Sequence, residues 1–114
     1  MAEQAVSGRR QGTILPTQSV TEYWGVLKRE VTIINKLGLH ARAAAKFVTI
    51  ASAFEADIRL LRDGRQVNGK SIMGVMMLAA AKGSHLEIQA SGEDAQQALE
   101  RLEELVRQRF GEDE

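Results

Sequence analysis

Residues 30–53 read Glu30-Val31-Thr32-Ile33-Ile34, Asn35-Lys36-Leu37-Gly38, then Leu39-His40-Ala41-Arg42-Ala43-Ala44-Ala45-Lys46-Phe47-Val48-Thr49-Ile50-Ala51-Ser52-Ala53. The period changes in the middle. Glu30–Ile34 alternates and is β-branched, which predicts a strand. Asn35–Gly38 has turn chemistry. From His40 to Ala53 the apolar positions Ala44, Phe47, Val48 and Ala51 fall three and four residues apart, which predicts one face of a helix. A strand, a tight turn and a helix in so short a span set the grain of an α+β domain.

The same alternation of elements continues outward. Ala56–Leu61 reads as a second strand, Arg62-Asp63-Gly64 as a hairpin turn and Arg65–Asn68 as a short third strand. Ser71 has the side chain of a helix cap, ahead of an apolar helix through Ile72, Val75, Met76 and Leu78 that Lys82-Gly83 should end. In that helix Met77 and Leu78 read as core. Leu86–Ala90 is a fourth strand. Ser91-Gly92-Glu93-Asp94 opens a last helix with the stripe Ala95, Leu99, Leu102, Val106 and Phe110. The order β-α-β-β-α-β-α predicts one four-stranded antiparallel sheet with three helices on one face, an open-faced β-sandwich.

Upstream, residues 1–27 hold the only proline, Pro16, and show neither period, so they read as a flexible leader before a single domain at 28–114. A chain of 114 residues suits one modest core. Its formal net charge is zero, which gives no bulk attraction to nucleic acid or anionic lipid. The absence of cysteine excludes disulfides and thiolate chemistry. There is no apolar signal core behind Arg9 and Arg10, and no stretch of membrane-spanning length; a cytoplasmic location is the expectation. Charge is unevenly placed. Between Val31 and Phe54 the only charged side chains are Lys36, Arg42 and Lys46, whereas from Glu87 onward nine acids face Arg101, Arg107 and Arg109. That pattern fits a mildly basic site remote from an acidic helix, but charge alone favours the simpler reading of two solvated faces.

Gly38-Leu39-His40-Ala41-Arg42 places a histidine where the turn becomes a helix. The first backbone N–H groups of a helix lack intrahelical partners and carry partial positive charge. A phosphoryl group on the imidazole could lie against them. Arg42, in the first turn, can add a guanidinium to the same oxygens. Neutral imidazole is a nucleophile near neutral pH. The competing reading makes His40 a polar helix cap.

Two segments bear on that choice. Leu37-Gly38-Leu39-His40-Ala41-Arg42-Ala43-Ala44 is similar to the active-site loop of the HPr family, the small phosphocarriers of the bacterial phosphotransferase system. Lys70-Ser71-Ile72-Met73-Gly74-Val75-Met76-Met77-Leu78 is similar to that family's regulatory-serine segment. The resemblance spans residues 29 to 110, and Asn35-Lys36-Leu37-Gly38 and Phe110-Gly111-Glu112-Asp113 also resemble the nitrogen-branch relatives.

The resemblance implies an HPr-like fold and a phosphoryl-group carrier rather than a stand-alone enzyme. It implies phosphorylation of His40 at Nδ1, with Arg42 stabilising the phosphate. It implies Ser71 as the target of an HPr kinase/phosphorylase, and Lys70, Ile72, Met73 and Met76 as docking contacts. The implied partners are enzyme I and a IIA-type acceptor of sugar transport or of the nitrogen branch. A monomer with no cofactor and no metal is expected. The family usually has proline where this chain has Ala43; alanine keeps the helix and restores an N–H donor. A second reading keeps the fold as a regulatory binding module, controlled through Ser71 with little histidine transfer.

Other constellations are weaker. Gly64-Arg65-Gln66-Val67-Asn68-Gly69-Lys70-Ser71 matches the phosphate-loop pattern, but a strand at 65–68 leaves no loop to wrap phosphates. His85, at the start of the fourth strand, reads as a surface histidine, because two distant histidines and scattered carboxylates are too few ligands for a metal site. Basic residues are not interleaved with aromatics, so nucleic-acid binding is not expected.

Overall fold

A computed structural model describes residues 25–114, so the leader reading falls outside the described residues as far as residue 24. The elements are β1 (Leu27–Thr32), α1 (Ala41–Ser52), β2 (Asp57–Arg62), β3 (Arg65–Asn68), α2 (Ile72–Met77), β4 (His85–Ser91) and α3 (Ala95–Arg107), followed by a 3₁₀ turn at Arg109–Gly111. The strands form one antiparallel sheet in the order β1-β4-β2-β3. This is the β-α-β-β-α-β-α order read from the sequence.

Sheet alternation sorts the side chains. In β4, Leu86, Ile88 and Ala90 are buried, while His85, Glu87, Gln89 and Ser91 lie on the other face. Val31 in β1 and Ile58 and Leu60 in β2 join the same buried side. Three helices cover that side: α3 packs on β1 and β4, and α1 packs against α2 and α3. Phe47, Val75, Leu99, Leu102 and Phe110 complete one core. The Asp63-Gly64 loop has positive φ at both residues, 52° and 80°, as a two-residue primed hairpin turn demands. Residues 65–68 are a strand paired with β2, so the phosphate-loop pattern is not a free loop.

β1, β2, β4 and α1 shift by one to three residues from the sequence reading, and three elements carry the differences that matter. β1 begins at Leu27 and ends at Thr32, because its register follows β4, from Leu27 opposite Ala90 to Thr32 opposite His85. The second helix stops at Met77 instead of running to Lys82-Gly83. Its last carbonyls accept side-chain donors from the hairpin: Arg65 Nη1 on Met77 O at 3.0 Å and Arg62 Nη1 on Leu78 O at 2.9 Å. Ala79 then turns left-handed, with φ 51°. Met77 is consequently not core, being 61% exposed, although Leu78 is buried. The last helix starts at Ala95, and Asp94 makes no side-chain cap. Its carboxylate instead accepts the Glu55 and Ala56 N–H groups, both at 2.9 Å, and fastens α3 to the start of β2.

Candidate functional site

The turn before α1 is built around a close approach. Gly38 has φ 69°, and a Cβ there would lie 2.5 Å from Ala80 O. The next residue, Leu39, donates its N–H to that same carbonyl at 2.9 Å. The chain thus hands over to α1 at a fixed angle. His40 is the N-cap residue, with extended backbone, and its ring makes no cap hydrogen bond. The reading of His40 as a mere polar cap therefore fails. The first i→i−4 bond of the helix runs from Ala44 N–H to His40 O at 2.9 Å, so the N–H groups of Ala41, Arg42 and Ala43 precede it.

The His40 ring is engaged elsewhere. Nε2 meets Glu112 Oε2, on the chain's C-terminal tail. Glu112 Oε1 accepts from Asn35 Nδ2 at 3.0 Å, and the same amide nitrogen donates to Gly38 O at 2.9 Å. Asn35 is fully buried, and among the described residues its Oδ1 has no partner. Its amide, foremost, holds the Glu112 carboxyl below the ordinary glutamate value; His40 and Lys46 act in the same direction and burial opposes them. Lys36, Leu37, His40, Arg42, Glu112 and Glu114 line an open depression of about 550 Å³. Lys36 Nζ faces Glu114 Oε1 at 3.3 Å, and none of the ion pairs among the described residues includes Arg42.

The sequence-predicted residues divide into two groups. His40 and Arg42 share the depression. Ser71, Ile72, Met73 and Met76 lie on α2 and its cap, outside it. Ser71 Oγ accepts the Gly74 N–H at 3.1 Å, the expected cap. Ile72, Met73 and Met76 are exposed, Met73 most of all at 75%. Lys70 points its ammonium at Phe54 O, 2.7 Å away, so its charge is tied to the end of α1. His85 is exposed and its Nδ1 lies 3.0 Å from Thr32 Oγ1. Among the described residues no group of three potential metal ligands comes together, and no helix is long and apolar enough to cross a membrane.

Sequence reasoning missed Asn35 and Glu112 as site residues. Glu112 is 72 positions from His40, and no spacing rule connects them. The one available sign was the likeness of Asn35–Gly38 and Phe110–Asp113 to a single group of relatives.

Comparison with known proteins agrees with this architecture. A family model described as the PTS HPr component phosphorylation site matches residues 27–108. The phosphocarrier protein HPr of Cupriavidus necator is 53% identical over 89 residues, which is 78% of this chain and all of that protein. The HPr of Pseudomonas aeruginosa is 55% identical over 86 residues, 75% of this chain and 96% of the relative. Among solved structures, HPr from Thermoanaerobacter tengcongensis superposes with a TM-score of 0.75 at 41% identity, covering 77% of this chain and 99% of its own. The Bacillus subtilis catabolite repression protein Crh, crystallised as a dimer with a swapped domain, gives 0.60 at 47% identity, covering 69% and 91%.

Proposed function

The chain belongs to the HPr family, and we propose that it accepts a phosphoryl group from enzyme I on His40 and passes it to a IIA-type acceptor. One observation carries the reading: the His40 ring, unused as a cap, opens with Arg42 onto one depression at the start of α1. The unbonded N–H groups of the first turn and the Arg42 guanidinium are the donors a bound phosphoryl group needs. Ser71 is the regulatory site for an HPr kinase/phosphorylase. A phosphate there would sit at the cap of α2 and put nearly two negative charges beside Ile72, Met73 and Met76, the apolar docking patch. Desolvating that charge against a partner is costly. The carrier acts as a cytoplasmic monomer.

Incubation of the full chain with enzyme I and phosphoenolpyruvate should add one acid-labile phosphate, and none to His40→Ala. Ser71→Asp should raise the Michaelis constant of enzyme I for the carrier and leave far-UV circular dichroism unchanged. Label on the His40→Ala chain overturns the assignment. Absence of label on the native chain favours the second reading, a binding module controlled through Ser71. The IIA protein that takes the phosphate onward separates sugar transport from the nitrogen branch.

A further inference from the structure

We propose that Glu112 is a positioning residue for phosphoryl transfer: its carboxylate, carried by the folded-back C-terminal tail, holds the Nε2–H of His40 and leaves Nδ1 as the nucleophile. This rests on the reading of His40 as the phosphoryl acceptor.

The tail is placed by tertiary contacts along its whole length. Phe110 is fully buried, Lys46 Nζ donates to Phe110 O at 2.8 Å, and Lys36 N–H donates to Glu114 O at 2.5 Å. Arg109, Phe110 and Gly111 are all left-handed, with φ 58°, 56° and 79°, and this reverses the chain toward His40. Two of the three are not glycine, so the conformation is unfavourable in itself and is held by the packing around it. Asn35 adds a second sign. A buried amide with an unpartnered oxygen is a poor choice for stability. What the amide achieves is the fixing of one carboxylate oxygen at 3.0 Å, while the other oxygen meets the ring.

Neutral imidazole has one donor nitrogen and one acceptor nitrogen. An anion at Nε2 stabilises the tautomer with its proton there, and the lone pair then resides on Nδ1. In the forward step that lone pair forms the N–P bond as the donor's bond to phosphorus breaks and its electron pair returns to the donor. The ring becomes a phosphoimidazolium that keeps its Nε2 proton, and the Glu112 carboxylate offsets the new positive charge. On transfer to the acceptor the N–P electron pair returns to the ring, restoring neutral imidazole. No proton enters or leaves in either direction.

The test compares the full native chain with Glu112→Ala and Glu112→Gln. Phosphorylation by enzyme I is measured with kcat and KM resolved, alongside proton–nitrogen spectra of the His40 ring. Glu112→Ala should lower kcat by about tenfold, the scale of one charge-assisted hydrogen bond, with KM within about twofold. Glu112→Gln, which keeps an acceptor and loses the charge, should fall between. The Nε2 proton should be held against solvent exchange in the native chain and released in Glu112→Ala. If the native chain is phosphorylated and Glu112→Ala matches its kcat, or loses only in KM, the role of Glu112 is overturned while His40 stands. If the native chain takes no phosphate although its Nε2 proton is held, the acceptor reading fails and this proposal fails with it.

Discussion

Gly38 shows how much one residue fixes in this molecule. Its left-handed φ alone disfavours any side chain by about 1–2 kcal/mol. A Cβ would also meet Ala80 O at 2.5 Å and Ala81 Cα at 2.9 Å, both backbone atoms that cannot swing aside. Gly38→Ala should therefore lower the melting temperature by at least about 5 °C. It should also weaken the Leu39–Ala80 hydrogen bond that sets the angle of His40, so phosphorylation by enzyme I should slow even at temperatures where the variant is folded. A melting temperature equal to the native value would show that the loop relaxes freely. That a turn stands at 35–38 was legible from its residue types. That its glycine faces the segment after α2 was not, because the two are brought together only by packing.

At the level of elements, the same contrast recurs in the helices. The amphipathic stripes of α1 and α3 were readable because a helix facing a core repeats its apolar residues at 3.6-residue period. The end of α2 was not. Alanine is the best helix former, so Ala79-Ala80-Ala81 invites continuation. Two arginines of the β2–β3 hairpin cap the carbonyls of Met77 and Leu78 instead. The 3₁₀ turn after α3 is a joint between core and site: Phe110 is anchored in the core, and two residues later Glu112 reaches His40. Phe110→Ala should cost about 3–5 kcal/mol in urea unfolding, as large-to-small core substitutions do. It should also release the His40 Nε2 proton to solvent exchange. A loss of stability with that proton still held would separate the anchor from the tail.

For the whole molecule, the carboxylates fastened by tertiary hydrogen bonds set the response to acid. Asp94 is held below its ordinary value of 3.8 chiefly by the Glu55 N–H, and Glu112 below its ordinary 4.5 chiefly by the Asn35 amide. A carboxylate depressed in the folded state contributes stability that is complete above its unfolded value and is lost as pH falls through its folded one. Calorimetric melting temperatures should thus be level from neutral pH to about 5 and decline below about 4. A decline beginning near neutrality would point to histidine as the controlling group. The element order, the buried faces of α1, α3 and β2, the hairpin turn and the His40–Arg42 segment could be read along the chain, since these follow from local periodicity and turn chemistry. Packing between distant segments sets where α2 stops, ties α3 to β2 through Asp94, and stands Asn35 and Glu112 behind His40. Those contacts join segments far apart in the chain, and no local pattern records which distant surfaces the closing of the sheet and helices will press together.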